Sequence, residues 1–323
     1  MGYQLWTSTA TGYRRRGTRL SELLSVLGGG VVTRAIMEPL QSAPANKPVE
    51  EVKTLLASRG FDAVGVKGSP DDPVKGFVLA KELDAGTVGD HLILFADHDL
   101  VPDAIHIPDL FTRLKQRERV FVSTINGVSG IITRADLNKP PVRLYLFGLI
   151  SLLEMHMQFW VATEYPDDTW QGVLPEKRLE KAREVFADRV IADEGVTLLD
   201  CIQFCDKKNL FARRHELLLR LQLPSKNETG LLLKHAEDLR NNLAHSQLDL
   251  VIGTTWEELL KLVDRIQAFV YRSDEVVEEL ARFQSGDVSQ DGLWTSQLDH
   301  LDRVAESGEM ADQEAELPSS VPA

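Results

Sequence analysis

The feature that most constrains this chain is an internal repeat in its first half. Residues 36–84 and 99–137 each contain a helix start marked by proline, an amphipathic helix, a short β-branched strand, a turn and a second strand. Gly76 and Gly130 occupy corresponding positions at a spacing of roughly 50 residues, which suits one supersecondary unit. The repeat predicts two copies of a small unit in which short β-sheets pack against helices.

The second half of the chain has a different periodicity. Between residues 140 and 283 the apolar residues recur at helical spacing without an alternating strand pattern, which predicts an all-helical bundle. Its first helix is predicted over residues 142–165, and capping boxes at residues 225–228 and 254–257 are predicted to start two later helices. The predicted core side of the first helix carries Leu144, Phe147, Ile150, Leu153, Met157 and Val161.

The fold class predicted from these two halves is an α+β multidomain protein. Residues 1–35 form an N-terminal arm and helix, residues 36–139 the repeated α/β pair, residues 140–283 the helical bundle and residues 284–323 a tail. The tail carries nine acidic residues and one basic residue, so it holds more than half of the net charge of −13. It lacks apolar periodicity and is predicted to be disordered.

The cysteine count and the length of the apolar runs bear on the cellular compartment, on metal binding and on membrane spanning. Cys201 and Cys205 are the two cysteines of the chain, which excludes a disulfide framework and favours the cytoplasm. They lie four residues apart on a predicted helix over residues 197–211 and are expected to be small core residues, because no further metal ligands stand nearby at suitable spacing. No apolar run is expected to reach the roughly 18–20 residues of a membrane span.

The segment GIITRADL, residues 130–137, carries a first candidate ligand site. It resembles the closing strand and turn of a CBS domain. The resemblance implies a CBS pair that binds an adenosine ligand (AMP, ADP, ATP, NAD or S-adenosylmethionine) in a cleft between the repeats. It also implies that Thr133 and Asp136 face the ligand, with Asp136 accepting the ribose hydroxyls. Arg134 is expected to add a phosphate contact.

The first copy departs from that pattern. Leu79 stands where the hydroxyl is expected and Glu82 where the aspartate is expected, so the pair is predicted to bind one ligand at the second copy. An alternative stays open, because threonine and aspartate are also good helix caps. In that case Thr133 and Asp136 are structural and the pair is a dimerisation scaffold.

The segment RNNLAHSQ, residues 240–247, carries a candidate catalytic set on a helix predicted over residues 228–246. Asn241 and His245 share a face and are expected to be able to hydrogen-bond. Arg240 and His245 are about 140° apart around the helix, so a single copy does not aim both groups comfortably at one atom. Two antiparallel copies across a dimer axis are able to do so, because each helix contributes its polar edge to a shared cleft.

This segment resembles the signature of HEPN domains, which are helical bundles, usually dimeric, many of them metal-independent ribonucleases. The resemblance implies that Arg240 binds the scissile phosphate and that His245 acts as acid, base or orienting group. It implies that Asn241 positions the other two. Imidazole suits proton transfer near neutral pH, and a guanidinium suits a phosphorane-like transition state.

A basic run between residues 206 and 220 is the candidate RNA surface. It includes Lys207, Lys208, Arg213, Arg214 and Arg220 in an otherwise acidic region. The alternative is a solvated helix end whose cations lie near the C-terminal dipole.

Together these features predict a cytoplasmic homodimer that acts as an adenosine-nucleotide-regulated endoribonuclease. Its partners are then an adenine nucleotide and RNA, with no membrane contact and no metal needed for catalysis. The alternative is a regulatory protein without catalysis, whose bundle serves dimerisation or docking of a partner.

Overall fold

A computed structural model of the chain describes residues 5–7, 14–16, 19–28, 31–191, 196–245 and 249–284. It divides into two compact units. The helical unit comprises the described residues of Met1–Leu23, Phe147–His245 and Leu262–Ala323, and the mixed unit comprises those of Leu24–Leu146 and Ser246–Lys261. The predicted bundle over residues 140–283 is therefore not one unit, because the ends of its first and last helices belong to different units.

The described strands are short and lie in the first half of the chain. They are β1 (Leu5–Thr7), β2 (Arg14–Arg16), β3 (Glu38–Pro39), β4 (Ser42–Pro44), β5 (Ala63–Lys67), β6 (Gly76–Leu79), β7 (Ile93–Leu94), β8 (Leu100–Pro102), β9 (Arg119–Thr124) and β10 (Gly127–Thr133). The described helices are α1 (Leu20–Gly28), α2 (Val49–Arg59), α3 (Ile107–Gln116), α4 (Pro140–Glu164), α5 (Glu176–Val190), α6 (Phe204–Phe211), α7 (His215–Arg220), α8 (Lys226–Ala244) and α9 (Trp256–Gln284). This arrangement confirms the predicted α+β class.

The two repeats are interlocked by an exchange of strands. Within the mixed unit one sheet has the order β4-β5-β6-β7 and the other has the order β3-β10-β9-β8. Strand β3 lies at the start of the first copy but pairs with β10 of the second, and β7 lies between the two copies and pairs with β6 of the first. The predicted boundaries 36–84 and 99–137 therefore do not separate self-contained copies. The sheet of the second copy includes β3 from the first copy, and the sheet of the first copy includes β7 from the segment between the copies.

Glycine at two corresponding positions permits this exchange. Gly76 pairs with Leu94 of β7, and Gly130 pairs with Pro39 of β3. A Cβ at Gly76 would lie 2.1 Å from the Ile93 carbonyl oxygen, and a Cβ at Gly130 would lie 2.7 Å from Met37 Sδ. The absent side chain lets the borrowed strand approach at both places.

Aromatic packing joins the two sheets of the mixed unit. The ring centroids of Phe77 on β6 and Phe121 on β9 are 4.5 Å apart, and Phe95 lies 4.9 Å from Phe121. Phe121 takes the register position that Gly65 holds in the first copy, because they face Ile131 and Phe77 respectively.

Helix α4 buries most of its apolar surface, but the face predicted from the sequence is partly wrong. Ile150, Leu153, Met157 and Val161 are buried as predicted. Leu144 and Phe147 are 58% and 49% exposed, whereas the neighbouring residues Tyr145, Leu146 and Leu149 are buried instead. Apolar residues surround nearly the whole circumference here, so their periodicity does not select one face.

The same helix also corrects the expectation that no apolar run approaches membrane-span length. By length and composition α4 is apolar enough to cross a membrane, and it is the one described helix that meets this test. Within its most apolar window 56% of the residues are buried, and a buried core helix of a soluble protein also passes the test.

Two predictions about later elements need correction. The helix predicted over residues 197–211 is a 3-10 turn, Leu198–Cys201, followed by α6, so Cys201 and Cys205 do not share a helix. Cys201 is buried and Cys205 is half-buried.

The capping box before α9 lies one residue later than predicted, because the Glu258 amide donates to Thr255 Oγ1 at 3.2 Å. The box at Ser225 and Glu228 is confirmed, with a 3.4 Å bond from the Glu228 amide. The acidic tail beyond residue 284 lies outside the described residues.

Candidate functional site

The candidate ligand residues lie in a turn at the end of β10, which we call the 133–136 turn. The chain leaves the strand at Thr133 and enters a 3-10 helix, Arg134–Asn138. Asp136 Oδ2 accepts the Thr133 amide at 2.7 Å and the Thr133 hydroxyl at 2.9 Å. The pair is a capping box, which is the structural alternative left open by the sequence. Asp136 is buried and Thr133 is half-buried.

The second oxygen of Asp136 is held by a lysine that sequence reasoning missed. Lys139 Nζ lies 2.9 Å from Asp136 Oδ1 and also donates to the carboxylate of Glu38 and to the Ile36 carbonyl oxygen. Burial opposes the charge of Lys139, but its hydrogen bonds to Asp136 and Glu38 raise its pKa above the ordinary value. The only sequence signal was a basic residue just before Pro140 and Pro141.

The first copy has no such site at the equivalent place. Strand pairing sets Leu79 opposite Ala63 and Thr133 opposite Arg119, so Leu79 and Thr133 are register equivalents. The turn that follows Leu79, Ala80–Glu82, has no side-chain cap. The structure therefore supports the sequence alignment of the copies, and it places the hydroxyl and carboxylate together in the second copy.

Arg134 is already engaged within the mixed unit. Its Nε donates to the Leu114 carbonyl oxygen at 3.0 Å and its Nη2 to the Lys115 carbonyl oxygen at 3.3 Å, both near the C-terminal end of α3. Its Nη1 donates to the carboxylate of Glu257. Glu257 is 123 positions away in the chain, so no local pattern could have identified this partner.

The candidate catalytic residues lie at the C-terminal end of α8. Arg240 and His245 are exposed and Asn241 is half-buried. Arg240 Nη1 donates to the Asn241 side-chain oxygen at 3.4 Å. His245 caps the helix, and its backbone amide donates to the Asn241 carbonyl oxygen at 3.0 Å. The structure therefore joins Arg240 with Asn241. The bond recorded between Asn241 and His245 links their backbones rather than their side chains.

The helical core beneath this motif is close to the prediction. Leu232, Ala236 and Leu239 are buried, whereas Leu243 is half-buried. This stripe fixes the rotation of α8 and directs the motif residues away from the core. Because Arg240 and His245 are about 140° apart on a regular helix, one chain does not bring both side chains to one point.

The basic run does not form a continuous surface for RNA. Lys207 has a side chain only 5% exposed, and its Nζ lies 2.8 Å from Glu154 Oε1. Lys208 Nζ lies 2.7 Å from Glu237 Oε2. Both lysines are neutralised inside the helical unit, which corrects the prediction that they contact a phosphate backbone.

The arginines of the same run are also mostly engaged. Arg214 lies 3.9 Å from the centroid of the Tyr165 ring and donates to the Glu164 carbonyl oxygen. Arg220 lies 3.3 Å from Glu164. Burial raises the pKa of Glu164 and lowers that of Arg220, although each charge favours the other. Arg213 alone among the predicted RNA contacts is exposed.

Metal ligands do not cluster in the described part of the chain. No group of three or more His, Cys, Asp or Glu side chains is placed there to bind a metal ion. Cys205 is instead in contact with Arg178, and burial raises the pKa of its thiol.

Comparison with known proteins finds similar solved structures but no matching family model and no matching curated protein. CBSX2 in complex with AMP has 19% identity, a TM-score of 0.30, and coverage of 33% of this chain and 93% of its own. The CBS domain of a bacterial CNNM/CorC family Mg²⁺ transporter in complex with ATP has 19% identity, a TM-score of 0.30, and coverage of 38% and 93%. A hemolysin-like protein containing a CBS domain, from Oenococcus oeni, has 14% identity, a TM-score of 0.29, and coverage of 37% and 96%.

These similar structures are CBS-domain proteins, and they match only the N-terminal part of this chain. TM-scores of this size do not assign a function. A CBS-type ligand site and a HEPN-type activity are therefore proposals for this protein.

Proposed function

We propose that this protein senses an adenosine nucleotide at the 133–136 turn. The observation that carries the proposal is the turn of the second copy, where Asp136 accepts the Thr133 hydroxyl through one oxygen and meets Lys139 at the other. The first copy has Leu79 and Glu82 at the corresponding positions. A threonine hydroxyl and an aspartate at a strand end suit a nucleotide, because a carboxylate oxygen accepts strong hydrogen bonds from ribose hydroxyls.

The contacts around Asp136 indicate how a ribose would enter. Asp136 Oδ2 is committed to the turn, whereas Oδ1 faces Lys139. A ribose hydroxyl competes for Oδ1, and Lys139 keeps Glu38 as its counter-charge. Arg134 is the proposed phosphate contact, and a phosphate there competes with Glu257 for Nη1.

Calorimetry on matched variants tests the sensor. AMP, ADP, ATP, NAD and S-adenosylmethionine are titrated into the wild type, Asp136→Asn and Glu82→Gln. At least one ligand is expected to bind the wild type. Asp136→Asn is expected to weaken it by about 10- to 100-fold, since charged hydrogen bonds contribute about 1.5–3 kcal/mol. Glu82→Gln, the equivalent change in the first copy, is expected to leave the affinity unchanged.

Two outcomes would reject the sensor assignment. One is the absence of heat with all five ligands. The other is an equal loss of affinity in both variants, because that would place the ligand away from the 133–136 turn.

We further propose that the helical region is a metal-independent endoribonuclease that works as a homodimer. The supporting observation is the exposed end of α8, where the Arg240 guanidinium is oriented by the Asn241 amide beside a helix-capping His245. Arg240 would stabilise the charge that develops on the scissile phosphate, and His245 would transfer the proton of the attacking 2′-hydroxyl. Asn241 would position Arg240.

Incubation with total RNA in EDTA tests this activity. Cleavage that leaves cyclic-phosphate ends is expected for the wild type. A loss of about 10²- to 10⁴-fold is expected for His245→Ala, the usual range for removing a general acid or base. His235→Ala, an exposed histidine on the same helix, is the matched control and is expected to cleave normally. Equal cleavage by His245→Ala would reject the assigned role. No cleavage by the wild type would favour a non-catalytic regulatory protein.

A further inference from the structure

The 133–136 turn is tied to a segment distant in sequence, which we call the 249–258 connection. Asn138, the last residue of the 3-10 helix, accepts the Leu250 amide at 2.8 Å. Its amide nitrogen also donates to Asp249 Oδ1 at 3.4 Å. Arg134, at the start of the same 3-10 helix, donates to Glu257. Both ends of one short helix therefore hold one segment, and all these residues belong to the mixed unit.

The connection itself is well anchored. Leu250 is fully buried, and the Val251 amide donates to Asp249 Oδ1 at 3.1 Å. Thr255 and Glu258 form the capping box that starts α9. A segment fixed at both ends is expected to open as a unit when one of its anchors is lost, rather than residue by residue.

The connection leads along the chain to the proposed catalytic motif. Helix α8 ends at Ala244 with His245 as its cap, and the described chain resumes at Asp249. In the other direction the 3-10 helix is followed by Lys139 and then by α4, which begins at Pro140. The turn that would bind a nucleotide is thus bonded directly to the segment that follows Arg240, Asn241 and His245.

We infer that the 133–136 turn and the 249–258 connection form one cooperative switch, in which occupancy of the turn changes the order of residues 249–258. Its regulatory meaning rests on the proposed nucleotide sensor, but the cooperativity of the two segments does not. Asn138 and Glu257 are positioning residues in this switch, since they act through the turn and touch no proposed reacting group.

Amide hydrogen exchange on the full-length chain tests the cooperativity without any ligand. Thr133→Val removes the hydroxyl from the capping box at the turn. Thr87→Val is the matched control, because Thr87 and Asp90 form the same box at 2.8 Å elsewhere in the mixed unit. Thr133→Val is expected to raise exchange in peptides covering residues 249–258 by up to about tenfold, the size of one hydrogen bond. Thr87→Val is expected to leave them unchanged.

Asn138→Ala provides the reciprocal measurement. It is expected to raise exchange at Leu250 and, with it, at residues 134–137, even though those residues keep their own sequence. Exchange confined to the mutated side in either variant would overturn the switch, and so would an equal rise in residues 249–258 for Thr87→Val.

Calorimetry separates the switch from the sensor. A nucleotide that binds the wild type is expected to change exchange in both segments in the same direction, and a change in the turn alone would overturn the switch. If no nucleotide binds, the proposed sensor is rejected, while the comparison of Thr133→Val with Thr87→Val still decides whether the two segments are coupled.

Discussion

In the described part of the chain, three capping boxes of the same geometry occur at Thr87, Thr133 and Thr197, each with an aspartate three residues later. In each case one carboxylate oxygen accepts both the backbone amide and the hydroxyl of the threonine. The pair alone therefore makes a cap, and it does not by itself make a ligand site. Lys139 distinguishes the second box, because it brings a cation to the free oxygen of Asp136.

The separation of two partners along the sequence explains which contacts of the candidate sites the sequence could predict. Thr133 and Asp136 are close in sequence, and so are Arg240 and Asn241. Their spacing alone was therefore enough to predict that each pair lies together. Lys207 finds its counter-charge on Glu154, at a separation of 53 residues. Such a partner is set by helix packing, which single-sequence periodicity does not specify, and the lysines therefore looked like a solvent-facing run.

At the scale of the elements, the two exchanged strands, β3 and β7, connect the sheets of the two repeats. The sequence predicted the helix and the two main strands of each copy, because each has a clear pattern. It did not predict β3 and β7, which have only two residues each and are stabilised by pairing with β10 and β6 respectively. A strand this short has no periodicity to read, and its partner lies in the other copy.

A pair of glycine substitutions compares how well the sheet tolerates a side chain beside β7 and beside β3. Gly76→Ala places a methyl group 2.1 Å from the Ile93 carbonyl oxygen, a backbone atom that moves only with β7. Gly130→Ala places it 2.7 Å from Met37 Sδ, the end of a flexible side chain. Gly76→Ala is therefore expected to lower the free energy of unfolding by about 3 kcal/mol or more, and Gly130→Ala by about 1 kcal/mol.

Urea unfolding of both variants beside the wild type measures this difference. Equal losses of stability would contradict the role given to the backbone of β7. A larger loss for Gly130→Ala would reverse it and make β3 the stiffer partner.

At the scale of the whole molecule, the spacing of Arg240 and His245 along the chain predicts that the proposed catalytic site is shared by two chains. A regular helical repeat sets Arg240 and His245 about 140° apart, so a site that uses both is best formed by the Arg240 of one chain and the His245 of another. A homodimer with two antiparallel α8 helices would contain two such shared sites. The sequence alone supported this argument, because helical repeat and residue spacing are sufficient to derive it.

Mixed dimers test whether the proposed site is shared. Arg240→Ala and His245→Ala chains are co-expressed with different tags, and the mixed dimer is isolated by two affinity steps. In a shared site one of the two pairs is intact, so the mixed dimer is expected to cleave RNA in EDTA at about half the wild-type rate. Each variant alone is expected to be inactive, because it lacks Arg240 or His245 in both sites. A mixed dimer as inactive as its parents would place both residues in one chain, and a chain that elutes as a monomer at working concentration would reject the shared site altogether.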